Sequence, residues 1–260
     1  MSGPKETIVE TPLGPARVWR QGRGKRVGFL AGVLGLPRWT LFLDKLSEAR
    51  QVVVPSLPGF PGGPSADSLD THLDWTIAAY DTLAAAGLIG ADLVGASLGG
   101  ALAAEVAAVW PKNVRKLALI APLGLFDADD PGVDVFAQRP GARSAVLSEK
   151  PADLDAWLAA GEGQDTVEWE ITQLKASVAA AKLLWPLGDT RLARRLPRIT
   201  APTLLVWGEA DRVAPSSYAE RFAKLISGRT RLKKIRGAGH TAELDAPVAV
   251  ARAITRFLES

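Results

Sequence analysis

Short apolar runs alternate with amphipathic stretches along most of this chain. Residues 16–19, 26–30, 51–54, 92–94, 114–120, 203–206 and 231–235 read as strands. Several are continuous apolar runs without polar alternation, as in strands covered on both faces of a parallel sheet. Helical periodicity occupies 41–48, 69–86, 98–109, 218–226 and 248–258. Strand and helix in regular succession predict a doubly wound, mostly parallel α/β sheet.

The succession breaks after Pro122. From 123 to 196 the strand-like runs stop, and helical stretches at 153–160 and 167–184 are separated by Pro131, Pro140, Pro151 and Pro186. The pattern predicts a helical cap, 123–196, inserted into a core formed by 1–122 and 197–260. In an open α/β fold such an insertion lies over the C-terminal edge of the sheet, where ligands bind. Its large apolar residues are Phe126, Phe136, Trp157, Trp169, Leu174 and Trp185. Each serves either packing or pocket lining, and Phe126, Phe136, Trp157 and Trp185 are the candidate substrate contacts. Arg139 and Arg143 are expected in solvent, with pairing to a substrate carboxylate as the alternative.

Composition narrows the picture. The 260 residues, 47% hydrophobic, suffice for one large domain with an insertion. The net charge of +3 comes from interspersed acids and bases, and Lys233-Lys234 and Arg194-Arg195 are short clusters expected on solvated faces. No nucleic-acid partner is expected. The absence of cysteine rules out disulfides, cysteine nucleophiles and thiolate metal sites. With only His72 and His240 to supply imidazole, neither a metal nor a cofactor is expected. The first ten residues lack a signal-peptide core, and no stretch reaches the roughly 18 apolar residues of a membrane span. The expectation is a cytoplasmic protein, monomeric or homodimeric, acting on a small molecule away from any membrane.

The chemistry centres on Gly95-Ala96-Ser97-Leu98-Gly99, which follows an apolar run and opens an Ala-rich helix. Glycines two residues either side of a serine allow a sharp strand-to-helix turn that holds the hydroxyl at a helix N-terminus. There the Leu98 amide and the helix dipole favour an oxyanion formed on an attacked carbonyl. The spacing alone is weak evidence, and its context strengthens it. Glu209-Ala210-Asp211 follows the run 203–206, and Gly239-His240 follows the run 231–235, so serine, acid and histidine each lie just past a strand end. His240 is the candidate base. His72, at a helix start, is expected to be a surface or capping-region residue. Asp211 or its neighbour Glu209 is placed to orient His240. Asp245 reads as the N-cap of the helix near Pro247.

These segments, with Phe29-Leu30-Ala31-Gly32-Val33 and Pro55-Ser56-Leu57-Pro58-Gly59-Phe60, resemble the α/β-hydrolase fold superfamily over nearly the whole chain. The resemblance implies a serine esterase-like member with a helical cap and a catalytic triad of Ser97, Asp211 and His240. It assigns the acid to Asp211 rather than Glu209, and it implies an oxyanion hole formed by the Val33 and Leu98 amides. Two positions depart from the pattern: relatives commonly carry His-Gly at Ala31-Gly32 and Asp at Ser56. Relatives that form alkyl-enzyme esters use aspartate where this chain has Ser97, so the resemblance favours acyl transfer to water on a small, largely apolar carboxylic ester. The alternatives are a carbon–carbon bond hydrolase of the aromatic ring-cleavage type and a non-turnover receptor with an intact triad; perhydrolase side activity shares the same residues. The chain lacks the Gly-Pro-rich oxyanion loop of the ring-cleavage enzymes and has Thr241 where they usually carry tryptophan.

Overall fold

The computed structural model describes residues 3–139, 141–184 and 190–260. Strands β1 (Lys5–Thr11), β2 (Gly14–Gln21) and β3 (Arg26–Leu30) are followed by α1 (Leu41–Ser47), β4 (Gln51–Pro55), α2 (His72–Ala85), β5 (Asp92–Ala96), α3 (Ser97–Val109) and β6 (Leu117–Ile120). Helices α4 (Arg143–Leu147), α5 (Pro151–Leu158) and α6 (Thr166–Leu184) precede β7 (Thr203–Gly208), α7 (Ser216–Leu225), β8 (Thr230–Ile235), α8 (Ala242–Asp245) and α9 (Pro247–Glu259). Among the described residues the sheet has eight strands, ordered β1-β2-β4-β3-β5-β6-β7-β8. The first two pairings are antiparallel and the others parallel. The chain therefore folds as an α/β hydrolase-type sheet flanked by helices.

Alternation along the central strands explains why both faces are covered. Leu93, Leu117, Leu119, Leu205 and Trp207 enter one core cluster with α2, α3 and α7, while Val94, Ala118, Ile120, Leu204 and Val206 enter the other beneath α1 and α9. Local signals set the helix starts. Thr71 and Asp74 form a reciprocal capping box, so α2 begins at His72 rather than at 69. Pro151 occupies the first turn of α5, which begins two residues before the expected 153.

Several expectations need correction. Strand β1 escaped the hydrophobic pattern because it is an edge strand, mostly exposed, held by full pairing with β2 from Lys5↔Arg20 to Thr11↔Gly14. Strand β6 begins at Leu117, not 114. Helices α4 and α8, of five and four residues, are too short for periodicity to reveal. Helices α5 and α6 correspond to the two helical stretches expected between the core strands. Pro140, Trp185 and Pro186 lie outside the described residues.

Candidate active site

Strands β3, β5, β7 and β8 run parallel, so the loops leaving their C-terminal ends gather at one edge of the sheet. Ser97 leaves fully buried β5 and starts α3 with a φ of +52°, a left-handed conformation that a non-glycine residue holds only when its surroundings enforce it. The flanking glycines are needed for that turn. A Cβ on Gly95 would lie 2.4 Å from the Gly99 carbonyl oxygen, and one on Gly99 would lie 2.3 Å from the carbonyl oxygens of Leu30 and Ala31. The N-cap residue Ala96 makes no side-chain cap, and the first-turn amides of a helix have no intrahelical acceptor. The Leu98 amide belongs to that turn.

The Ser97 Oγ lies 2.7 Å from Nε2 of His240, and Nδ1 of the same ring lies 3.1 and 3.0 Å from the Asp211 carboxylate oxygens. These partners assign the tautomer: Nδ1–H donates to Asp211, and Nε2 accepts the serine hydroxyl proton. The amides of Val213 and Ala214 donate to Asp211 Oδ1 at 2.9 Å each, fixing the carboxylate. Asp211 and His240 have fully buried side chains, whereas Glu209 is exposed. The structure thus brings Asp211, and not Glu209, to the imidazole.

Burial, the largest single influence on His240, disfavours its charged form. The Asp211 carboxylate and its hydrogen bond, helped by Glu243, outweigh that effect and raise the pKa above the ordinary 6.5. Glu243, buried three residues further on, has its carboxyl pushed up to about 7, chiefly by desolvation. Glu243 carried no assignment in the sequence. Its signal is an ionisable residue set between Ala242 and Leu244 immediately after a histidine motif.

Among the cavities that the described residues form at this edge, two bear on the site. The cavity that includes Ser97 is lined by Gly32, Val33, Trp157, Thr241 and Glu243 among others, and its free volume is about 20 Å³. Val33 and Ala31 therefore stand in the Ser97 wall, as does Trp157 from α5. The second cavity, about 180 Å³, is lined by Phe126, Phe136, Leu125, Val135 and Leu184, and Ser97 is not in its wall. Phe126 and Phe136 are thus displaced from the expected contact with the Ser97 site. Leu123 lines the larger cavity, and its amide donates to the Ser97 carbonyl at 3.1 Å.

Three further residues differ from expectation. Asp245 does not cap α9, whose N-cap is Ala246. Its carboxylate is buried and accepts from the amides of Gly239 at 2.7 Å and Glu149 at 3.1 Å, and from the Ser148 hydroxyl. His72 is not merely at the surface: its Nε2 meets buried Glu105 of α3 at 2.9 Å. Arg143 is not solvated. Its Nη1 donates to Ser177 at 2.8 Å and its guanidinium lies 5.9 Å from the Phe136 ring centre, while Nε and Nη2 are buried without a hydrogen-bond partner among the described residues. Desolvation alone lowers its pKa below the usual arginine range. Arg139 is exposed, as expected.

No described helix is long and apolar enough to cross a membrane. Comparison with known proteins places the chain in a family. The chain is 32% identical over 271 residues to the polyketide synthase ThaQ of Burkholderia thailandensis, covering 97% of this chain and 13% of that relative's length. It is 25% identical over 245 residues to the 2-hydroxymuconate semialdehyde hydrolase of a Pseudomonas species, covering 87% of this chain and 83% of that one. A bacterial membrane phospholipase A of known structure superposes with a TM-score of 0.76 at 24% identity, over 99% of this chain and 86% of the other. Residues 29–253 match the alpha/beta hydrolase family, and they include Ser97, Asp211 and His240. The chain belongs to the alpha/beta hydrolase family.

Proposed function

We propose that this chain is a serine hydrolase that cleaves a small, largely apolar carboxylic ester through an acyl-serine intermediate. The observation that carries the reading is the buried relay from Ser97 Oγ to His240 at 2.7 Å and from His240 to Asp211 at 3.0 Å. Ser97 Oγ attacks the ester carbonyl while Nε2 takes its proton, giving a tetrahedral oxyanion and an imidazolium beside Asp211. The amides of Leu98 and Val33 are the donors assigned to the oxyanion. Collapse of the intermediate expels the alkoxide, which takes the proton from Nε2. Water then repeats the sequence on the acyl-serine, releasing the acid and restoring Ser97.

Residues 123–196 act as a cap that shapes the pocket. The segment supplies Trp157 to the Ser97 cavity and Phe126 and Phe136 to the larger one, which takes the apolar bulk of the substrate. Trp185, the fourth candidate contact, lies outside the described residues.

Carbon–carbon bond hydrolysis is the second reading. The Arg143 guanidinium, buried with no carboxylate beside it among the described residues, favours a substrate that brings its own carboxylate, and a Pseudomonas relative is named a semialdehyde hydrolase. Turnover of p-nitrophenyl esters beside a ring-cleavage dienoate separates the two. Repeated ester cycles with little dienoate cleavage support the first reading, the reverse supports the second, and at most one product equivalent per site supports a receptor.

A further inference from the structure

Two residues in the wall of the Ser97 cavity each keep a buried polar atom with no hydrogen-bond partner among the described residues: Oε2 of Glu243 and Nε1 of Trp157. Glu243 is only 8% exposed. The cavity's two threonine hydroxyls each already make one hydrogen bond. Thr40 Oγ1 accepts the Leu43 amide at 3.4 Å as the cap of α1, and Thr241 Oγ1 donates to the Leu147 carbonyl at 3.1 Å. The rest of the wall, apart from Ser97, is glycine and apolar side chains.

With Glu243 ionised, its Oε2 accepts and the Trp157 Nε1–H donates, and a group that both donates and accepts fits the pair. A hydroxyl does both, an ammonium only donates, and a carboxylate only accepts and is repelled by an ionised Glu243. A free volume of about 20 Å³ also suits a group of one or two heavy atoms. Chemistry then fixes which half of the ester carries it. His240 protonates the departing alkoxide, so the alcohol portion lies on the imidazole side of the scissile carbonyl. Glu243 and Thr241, which follow His240 in the chain, both line the Ser97 cavity, so that wall belongs to the imidazole's loop. Resting on the ester-hydrolase reading above, we propose that Glu243 and Trp157 bind a hydroxyl on the alcohol portion of the substrate, making the site selective for monoesters of diols and polyols.

The test is a matched pair of nearly equal size, 2-hydroxyethyl butyrate and propyl butyrate, compared by kcat/KM. Wild-type protein favours the hydroxyethyl ester by about tenfold or more, because the propyl ester leaves both buried atoms unpaired. Glu243→Leu and Trp157→Phe each reduce that ratio toward one. The second variant keeps the indole's apolar area and loses only the N–H. Each variant is its own reference, since partial loss of folded protein lowers both rates together. A ratio near one in wild type overturns the proposal, as does a ratio unchanged in both variants, which would mean that Glu243 acts only through His240. A preference that follows the hydroxyl to the acyl chain, in propyl 4-hydroxybutyrate against propyl valerate, overturns its placement on the alcohol. Absence of turnover on every ester overturns the ester-hydrolase reading itself, and with it this one.

Discussion

The carboxylate of Asp245 accepts the amide of Gly239 at 2.7 Å, one peptide before His240. The same buried side chain holds the Glu149 amide and the Ser148 hydroxyl, while the Asp245 carbonyl accepts the Lys150 ammonium at 2.7 Å. A single residue therefore ties the loop that carries the imidazole to the segment joining α4 and α5.

Asp245→Ala leaves the buried Gly239 amide and Ser148 hydroxyl without their acceptor, and unfolding free energy falls by about 3 kcal/mol. Urea denaturation measures this as a lowered midpoint at an unchanged slope. A midpoint within error of wild type would show that the carboxylate does not hold the loop.

Asp211→Asn keeps size while spoiling tautomer control, so kcat falls by on the order of 10⁴-fold. Exposed Glu209 makes no contact with His240, and Glu209→Gln leaves kcat within about twofold. Matched steady-state kinetics on one p-nitrophenyl ester check both, and the reverse ranking would reassign the acid.

The buried strands and the positions of Ser97 and His240 were legible because buried strands and tight turns leave local marks, whereas the choice of Asp211 over Glu209 came from the family resemblance. Val94 and Leu205 sit in continuous apolar runs, and the glycines at 95 and 99 are required by contacts under 2.5 Å. The features that were not legible depend on contacts distant in sequence. Strand β1 exists through pairing rather than burial. Asp245 has the spacing of a helix cap, yet its partners come from Gly239 and from the α4–α5 segment almost a hundred residues earlier. Arg143 looks like a surface arginine until α6 and Phe136 close over it.

Catalysis needs neutral His240, so kcat/KM falls as pH drops through its pKa, with a midpoint above 6.5 because the folded site favours the imidazolium. Glu243→Gln removes a negative neighbour and moves that midpoint down. Because the Glu243 carboxyl titrates near 7, the two groups share the wild-type profile, which is broader than that of the variant. Profiles of kcat/KM from about pH 5 to 9 report both effects. A midpoint that stays put or rises in the variant contradicts the assignment.

Lengthening the acyl chain of a p-nitrophenyl ester raises kcat/KM by up to about fourfold per carbon, since each buried methylene contributes about 0.8 kcal/mol. The rise levels off when the 180 Å³ cavity is full. Acetyl, butyryl, hexanoyl and octanoyl esters measure it beside one carboxylate-bearing ester of similar size. A flat profile with strong preference for the carboxylate, abolished in Arg143→Met, would place the carbon–carbon reading first.

The central claim is that Ser97 is the acylated nucleophile, and covalent labelling tests it most directly. A fluorophosphonate probe followed by peptide mass spectrometry places the adduct on Ser97, and Ser97→Ala takes up no label while its kcat falls by on the order of 10⁴-fold or more. A label on another residue, or near-normal turnover in the alanine variant, would contradict the account.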